Sequence, residues 1–316
     1  MTDAIRIADL HKSFGEKRAV QGMDLVVPEG SLHGFIGPNG AGKTTTIRMI
    51  MSIIFPDTGE LSVLGKKSAV ESKDRIGYLP EERGVYKKMK VLPFIKYMAK
   101  LKGVTDSSLD KKANAWLERV GLSDVAQKKC EELSKGMQQK VQFIASVIHE
   151  PELLILDEPF SGLDPVNMRL LRDLIREINE KGTTIIFSTH VMAQAEQLCD
   201  NIVMIHKGEK VLDDPLDAIR SRFDPRALLF EPMDRGVGES ELIAIDGVTH
   251  AEREGDSWAL QLEDGLAPAD AIAKLASQIH ALRVEVKRPS LEDIFVEIVE
   301  DDFTTGELAE SLGAAS

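Results

Sequence analysis

The sequence predicts an α/β fold, in which a parallel sheet carries an inserted helical subdomain, followed by a small α+β domain. Short apolar runs that end in polar residues alternate with helical patterns up to about residue 210, which is the βαβ order of a parallel sheet. The acidic residues then accumulate, since residues 1–210 hold 30 Lys+Arg and 28 Asp+Glu whereas residues 211–316 hold 9 and 24. This change of composition indicates a separate C-terminal unit.

The α/β part is predicted from three buried strands and their connections. SLHGFIG is a strand, followed by the loop GPNGAGKTT and the helix TIRMIMSIIF. PELLILDEP and GTTIIFSTH are two further strands, with the helix RLLRDLIREINEKG between them. The stretch from about 84 to 150 has helical patterns without strand signals, which predicts a helical subdomain inserted into the core. We assign residues 1–222 to this domain.

The acidic part has a different pattern, in which strands and helices are mixed. ALLFEP, LIAIDGVTHAERE, SWALQLEDG and ALRVEVKRPS are predicted strands, and PADAIAKLASQI and SLEDIFVEIVED are predicted helices. The segment DDPLDAIRSRFDPR is the predicted linker. We therefore expect an accessory α+β domain over residues 223–302 and a loose tail over residues 303–316.

Composition indicates a soluble cytosolic chain. No apolar run approaches the ~18–20 residues that cross a bilayer, and the first residues lack the basic-then-apolar layout of a secretory signal. The two cysteines, Cys130 and Cys199, have no metal-ligand spacing, so we expect them to be reduced and structural. The acidic excess argues against nucleic acid as a partner of the C-terminal part. The plainer alternative is that it only keeps the surface soluble.

The segment GPNGAGKT matches the phosphate-loop pattern at Gly37, Gly42, Lys43 and Thr44. Glycines allow consecutive backbone N–H groups to turn toward a phosphate, the lysine reaches the β- and γ-oxygens, and the threonine hydroxyl can bind Mg²⁺. The segment lies between a predicted strand and a predicted helix, which is the context that this motif requires. A nucleotide site is therefore predicted here.

The run LLILDE predicts the second half of such a site. Its apolar residues place Asp157 at the carboxyl end of a buried parallel strand, where open α/β sheets bind ligands. Asp157 can hold Mg²⁺ directly or through water, and Glu158 is placed to be a general base for an attacking water. Adjacent carboxylates on a loop are often only solvated charge, but the phosphate loop in the same chain favours the catalytic interpretation.

A second helix start, at Ser134, also has the features of an anion site. Ser134 can be a plain N-cap. Three residues further on, however, stands Met137, so the Glu or Gln of a capping box is missing. First-turn N–H groups are then available to an anion.

The order of the phosphate loop, LSKGMQQ, LLILDEP, SGLD and STH resembles the ATPase subunits of ATP-binding cassette (ABC) transporters, over roughly residues 3–225. The resemblance implies two such domains facing head to tail, so that the helix start of one chain closes over ATP·Mg²⁺ held by the other. It also implies an ATP-hydrolysing enzyme. The nucleotide-binding residues that it implies are Phe14, which stacks on adenine, and Gly37, Pro38, Asn39, Gly40, Ala41, Gly42, Lys43, Thr44 and Thr45.

The same resemblance implies the remaining site residues. Glu158, His190 and Glu81 are the expected catalytic residues, and Thr44, Asp157 and Glu81 are the expected Mg²⁺ ligands. The signature that reaches a partner's nucleotide is Ser134, Lys135, Gly136, Met137 and Gln138, and the D-loop at the interface is Ser161, Gly162, Leu163 and Asp164.

Two departures from the family pattern stand out. Lys135 and Met137 replace a glycine and a glutamine of the signature, whereas Ser134 and Gly136 are kept. Glu81 stands where the family has the glutamine that senses Mg²⁺ and water. A carboxylate can still bind Mg²⁺ or its waters, but it adds a negative charge beside ATP. We expect Glu81 to keep the coupling role.

The C-terminal SLEDIFVEIV resembles the end of a domain found on bacterial ATPases of drug, sodium and antibiotic exporters, which pair with separate permeases of the ABC-2 type. Its plainer interpretation is an amphipathic helix that closes a small core. The resemblance implies an exporter subunit that is peripheral on the inner face of the membrane, with a polytopic permease and a second ATPase as partners and no nucleic acid.

Two alternatives belong to other functional classes. A soluble ABC ATPase that works on ribosomes or DNA usually has tandem cassettes or a long coiled coil, whereas this chain has a single phosphate loop and no sustained heptads. It also lacks a basic surface for nucleic acid. A regulatory module that no longer hydrolyses ATP would need a damaged catalytic set, yet Glu158 and His190 are both present.

Overall fold

Six strands form a central sheet that is mostly parallel. The computed structural model describes residues 2–82, 84–223 and 226–299. The strand order is β5-β6-β7-β3-β8-β9, in which all neighbours are parallel except β8 and β9. The strands are β3 (Leu32–Ile36), β5 (Ile76–Leu79), β6 (Leu153–Asp157), β7 (Thr184–Thr189), β8 (Asn201–His206) and β9 (Glu209–Pro215). The predicted α/β class is confirmed.

The middle strands of this sheet are buried along their whole length. All residues of β3, β6 and β7 are buried, as expected for parallel strands that are covered on both faces. Their polar ends therefore emerge together at one edge of the sheet. The helices that connect or flank these strands are α1 (Lys43–Ile50), α5 (Pro165–Glu180) and α6 (Met192–Glu196).

A second, antiparallel sheet lies in the same unit, and the sequence analysis did not predict it. Its order is β2-β1-β4, built from β1 (Asp3–Phe14), β2 (Lys17–Pro28) and β4 (Thr58–Val63). One apolar cluster joins the two sheets, since it contains Ile5 and Leu25 of this sheet, Phe35 and Ile155 of the central sheet, and Ile47 of α1. The core therefore joins the two sheets and includes buried residues of the phosphate-loop helix.

Helices fill the chain between two adjacent strands of the central sheet, β5 and β6. They are α2 (Val91–Leu101), α3 (Leu109–Arg119) and α4 (Lys135–Val147). Helix α4 has buried residues at every position from Gln139 to Val147, because it packs against α2, α3 and β5. This is the stretch in which the sequence predicts an inserted helical subdomain.

The chain divides into two compact units, Met1–Leu216 and Asp217–Ser316, a few residues before the predicted boundary at 222. The second unit has a four-stranded antiparallel sheet of order β11-β12-β10-β13, whose core contains Phe230, Leu242 and Leu260. Its elements are β10 (Ala227–Pro232), α8 (Glu239–Ile243), β11 (Val248–Glu254), β12 (Ser257–Leu262), α9 (Pro268–Gln278), β13 (Ala281–Lys287) and a helix over residues 291–299. The predicted loose tail, 303–316, lies outside the described residues.

The predicted linker, DDPLDAIRSRFDPR, contains the division between the two units, and α7 (Leu216–Arg222) lies within it. Two local predictions are wrong. The run LIAID is not a strand, because Leu242 belongs to α8 and is buried together with Ile245, at helical spacing. The predicted helix TIRMIMSIIF ends at Ile50 and a turn follows it. Among the described helices, none is long and apolar enough to span a membrane.

Candidate nucleotide and catalytic site

The phosphate loop has the backbone conformation that its glycines permit. Gly37, Gly40 and Gly42 all have positive φ, of 145°, 82° and 112°. A Cβ on Gly37 would lie 2.1 Å from the carbonyl oxygen of Ile205, and one on Gly42 would lie 2.5 Å from that of Ala19. The loop is thus packed directly against backbone, and side chains are excluded at these two positions.

Lys43 closes the loop on itself. Its Nζ donates to the carbonyl oxygens of Gly37 at 2.7 Å and Pro38 at 3.0 Å. Burial lowers the pKa of Lys43, and the nearby carboxylates of Glu158, Asp157 and Glu81 oppose that shift. The Lys43 ammonium group is therefore partly buried and close to three carboxylates.

A pocket of about 330 Å³ opens at this loop and brings several predicted residues together. Its lining includes Glu81 and Glu158, which approach the loop from the ends of β5 and β6. The lining residues are Lys17, Asn39, Gly40, Gly42, Lys43, Thr44, Thr45, Glu81 and Glu158. A cleft of about 450 Å³ elsewhere, beside Phe55, contains none of the predicted residues, so volume alone does not locate the site.

Lys17 is a lining residue that sequence analysis missed. It begins β2 and pairs in register with Phe14 at the end of β1. Phe14 is 52% exposed and does not line the pocket, although its neighbour across the hairpin does. The hairpin thus presents an exposed aromatic ring and a cation beside the phosphate loop.

Asp157 is the last residue of β6 and is almost fully buried, with 1% exposure. Burial raises its pKa, the carboxylates of Glu81 and Glu158 add to the rise, and the hydroxyls of Ser188 and Thr44 oppose it. Neither carboxylate oxygen has a partner at hydrogen-bond geometry among the described residues. A buried carboxylate left in this way can accept a cation or its waters.

This environment suits Mg²⁺. Asp157, Glu81 and the Thr44 hydroxyl supply hard oxygen atoms, and Mg²⁺ typically takes one or two carboxylates together with water and substrate phosphates. In the described part of the chain, no group of three or more His, Cys, Asp or Glu side chains is arranged as a ligand set. A Mg²⁺ site to which a nucleotide contributes phosphate oxygens does not require such a ligand set from the protein.

Glu158 follows Asp157 in a strained conformation, with φ of 50°. Its backbone N–H donates to the Ser188 carbonyl at 2.9 Å. Its Oε1 accepts from the backbone N–H of His190 at 2.8 Å and lies 2.7 Å from Nδ1 of the same residue. Its Oε2 lies 3.2 Å from the hydroxyl of Thr189. The last residue of β7 and the residue after it therefore hold this carboxylate.

The start of α4 has an N-cap, as the plainer interpretation of Ser134 predicts. The hydroxyl oxygen of Ser134 accepts from the backbone N–H of Met137 at 3.3 Å. The side chains of Ser134 and Lys135 are exposed, and neither residue lines the phosphate-loop pocket of its own chain. The signature segment is therefore separate from that pocket and accessible.

The D-loop lies directly beside that helix start. A Cβ on Gly136 would lie 3.3 Å from the carbonyl oxygen of Gly162 and 3.4 Å from Cδ2 of Leu163. Ser161 N–H donates to the carbonyl oxygen of Glu158 at 3.1 Å. The backbone thus connects the D-loop both to the signature segment and to the predicted base.

Two further contacts, which sequence analysis also missed, tie α4 to its surroundings. Gln142 bridges the segment after Glu81, because it donates to the carbonyl oxygen of Glu82 and accepts from Gly84 N–H, both at 3.3 Å. Gln139 donates to the carbonyl oxygen of Pro159 at 3.0 Å. No sequence motif identifies these glutamines. Their partners are backbone atoms, which nearly any residue type can supply, so the sequence carries no matching side chain.

Comparison with known proteins gives a consistent result. The ABC transporter family model matches residues 20–161, and a model described as ATP-binding protein DrrA1-3-like, C-terminal domain, matches residues 215–299. An uncharacterized ABC transporter ATP-binding protein, YhaQ of Bacillus subtilis (strain 168), is 41% identical over 93% of this chain and 98% of its own. The linearmycin resistance ATP-binding protein LnrL of the same strain is 32% identical over 93% and 97%.

A solved structure gives the same picture of the fold. It is described as the structure of the ATP binding subunit of an ABC transporter, with a TM-score of 0.65 and 30% identity. The match covers 70% of this chain and 93% of that one.

Proposed function

The chain belongs to the ATP-binding proteins of ABC transporters, and on that premise we propose that it hydrolyses ATP to drive a separate membrane permease of an exporter. The observation that carries the proposal is the contact of Glu158 with His190 at the rim of the phosphate-loop pocket. A carboxylate held there is a general base for a water molecule that attacks a γ-phosphate.

In this proposal the phosphate loop binds the nucleotide. The backbone N–H groups from Asn39 to Thr45 surround the β-phosphate, and Lys43 exchanges its carbonyl partners for phosphate oxygens. Phe14 stacks on adenine, which its exposed ring at the hairpin supports. Lys17 adds a positive charge on the same side of the pocket.

Mg²⁺, when bound, neutralises charge on the β- and γ-oxygens. Asp157, Glu81 and Thr44 would hold it. The carboxylate of Asp157 is buried, and the Glu81 carboxylate and the Thr44 hydroxyl are oxygen-bearing groups near it. Glu81 keeps the position that joins the nucleotide to the helical segment, and the bridge from Gln142 to Glu82 and Gly84 supports that role.

Glu158 accepts the proton of the attacking water. A carboxylate offers about four lone-pair sites, and His190 already occupies two of them on Oε1. Thr189 occupies one on Oε2, so Oε2 keeps a site for the water. The water oxygen then forms a bond to the γ-phosphorus as the bond to the β,γ-bridging oxygen breaks, and ADP and phosphate leave.

Two chains would form the complete unit, head to tail. The exposure of Ser134 and Lys135 away from their own pocket supports closure over a partner's nucleotide. The contact between Gly136 and Gly162 would bring the D-loop to the same interface. Nucleotide bound by the partner would then affect Glu158 of the chain whose D-loop faces it, through the hydrogen bond from Ser161.

The exporter assignment rests on similarity. LnrL is named for linearmycin resistance, and the C-terminal segment matches a DrrA1-3-like domain. Resistance of this kind is most simply achieved by moving the compound out of the cell. No described helix can span a membrane, which is compatible with a permease on a separate polypeptide and a peripheral position on the inner face of the membrane.

The dimer is tested by light scattering on the Glu158→Gln variant with Mg²⁺ and ATP. We expect a shift from monomer to dimer, because the variant binds ATP without turnover. The matched control adds Lys135→Glu, which places a negative charge on an exposed residue of the proposed interface, facing the partner's nucleotide, and it should remain monomeric. A Glu158→Gln protein that stays monomeric at saturating ATP contradicts the homodimer.

The permease is tested by affinity capture from detergent-solubilised membranes, followed by mass spectrometry. We expect a stoichiometric polytopic membrane protein. Recovery of ribosomal or DNA-bound partners, with nothing from the membrane, contradicts the exporter assignment.

A further inference from the structure

Thr189 is a fully buried residue whose hydroxyl contacts the side chain of Glu158. It is the last residue of β7, with 0% exposure. Its hydroxyl oxygen accepts from the backbone N–H of Val191 at 3.1 Å. The same hydroxyl lies 3.2 Å from Oε2 of Glu158 and 3.1 Å from Oε1 of Gln194. Both acceptors are therefore within reach of one donor.

A hydroxyl has a single proton, so it can serve only one of these acceptors at a time. A charged carboxylate makes the stronger hydrogen bond. When the proton goes to Glu158, a half-turn of the Gln194 amide presents its NH₂ group to the Thr189 oxygen, so that the oxygen then accepts two hydrogen bonds and donates one. The orientation of the hydroxyl is thus set by the residues that follow β7.

We propose that Thr189 is a positioning residue for ATP hydrolysis: its hydroxyl, held by Val191 and Gln194, fixes the Oε2 oxygen of Glu158 that receives the proton of the attacking water. His190 contacts only Oε1, through its backbone N–H and Nδ1. Thr189 is the residue that contacts the other oxygen, Oε2, so the two oxygens are held by different residues. The inference rests on the proposed role of Glu158 as the base.

The test is the steady-state kinetics of Thr189→Val, which replaces the hydroxyl with a methyl group of similar size. We expect kcat for Mg²⁺-ATP to fall about tenfold, the effect of losing one hydrogen bond to a charged group, with KM and the Kd of ATP within about twofold of wild type. Thr189→Ser keeps the hydroxyl and should restore kcat to within about threefold.

The matched control is Thr184→Val on the same strand. Thr184 is also buried, but its hydroxyl accepts from the backbone N–H of Gly30, away from Glu158. We expect an equal loss of thermal stability without a comparable loss of kcat. If both threonine variants lower kcat equally, Thr189 acts only through the stability of the strand and the inference fails.

Gln194→Glu tests the same arrangement without changing the strand. A carboxylate at this position can only accept, so it draws the Thr189 proton away from Glu158. We expect kcat to fall with KM unchanged, as for Thr189→Val, and an unchanged kcat in both variants overturns the inference. Glu158→Gln, measured beside them, separates the two claims, since full turnover in that variant overturns the proposed base itself.

Discussion

The Nδ1 atom of His190 lies 2.7 Å from Oε1 of Glu158, and the backbone N–H of His190 donates to the same oxygen at 2.8 Å. The two residues follow β6 and β7, which are adjacent and parallel, with Asp157 opposite Ser188. The register of two buried strands therefore sets this contact, although more than thirty residues separate its partners in the chain. The central sheet therefore positions both residues of this contact.

Replacing His190 should slow hydrolysis more than it weakens binding. In His190→Ala the Oε1 oxygen keeps only its backbone donor, so the carboxylate loses its orientation. We expect kcat to fall about 100-fold, within the range for general-base catalysis, and the Kd of ATP to change less than fivefold. Stopped-flow binding and phosphate release measure the two effects, and equal losses in both would contradict this separation.

Gly37→Ala and Gly40→Ala form a matched pair in the phosphate loop. Both positions have positive φ. A Cβ on Gly37 would meet the Ile205 carbonyl oxygen at 2.1 Å, whereas a Cβ on Gly40 would have no atom within 4 Å apart from its chain neighbours. We expect Gly40→Ala to cost about 1 kcal/mol of unfolding free energy, and Gly37→Ala to cost several times more and abolish ATP binding. Urea unfolding measures the difference, and similar costs would contradict the packing described for the loop.

Lys140 should contribute to stability through its buried contacts. Its Nζ donates to the carbonyl oxygen of Val120 at 2.8 Å and to Oδ1 of Asn167 at 3.0 Å. Asn167 in turn donates to Asp164 of the D-loop. We expect Lys140→Met to lower the unfolding free energy by about 1–3 kcal/mol, because two acceptors lose their partner. Lys135→Met, exposed on the same helix, should stay within about 0.5 kcal/mol of wild type.

His149 should make stability depend on pH. Burial lowers its pKa from 6.5 to about 4, and the charge of Lys102 adds to the shift. Since the unfolded chain binds a proton below pH 6.5 and the folded chain does so only near pH 4, stability is lost as the pH falls through that range. The full effect is on the order of 3 kcal/mol.

The measurement is the unfolding free energy of wild type and His149→Gln between pH 4 and pH 7. The glutamine keeps a donor for the Ile76 carbonyl oxygen without a titrating group. We expect the difference between the two proteins to favour the variant progressively as the pH falls. A difference that does not change with pH contradicts the effect of burial on His149.

The sequence predicted those parts of the fold that local patterns encode. Short apolar runs that end in polar residues or a glycine loop identified β3, β6 and β7 correctly, since strands buried on both faces have continuous apolar sequences. The run LIAID was assigned wrongly because periodicity cannot separate a short buried strand from a helical turn. The β2-β1-β4 sheet was missed because its long strands carry several register shifts that interrupt the alternation.

In the site, too, the sequence predicted only the residues that local motifs encode. Motifs identified Lys43, Asp157, Glu158 and His190 as candidates, and their catalytic roles stay predictions. The contacts of Thr189, Gln142 and Lys140 could not be predicted, since they join residues that only the sheet order and helix packing bring together. Lys17 was missed for a similar reason, because a hairpin turn rather than a motif carries it to the pocket.

The most direct test of the central claim is phosphate release from Mg²⁺-ATP by the purified wild-type chain and by Glu158→Gln, with equilibrium ATP binding measured on the same samples. We predict saturable turnover for the wild type, and ATP binding within a few-fold of wild type but at least about 100-fold slower turnover for the variant. Equal turnover by the two proteins would contradict the account, because Glu158 would then not be the base.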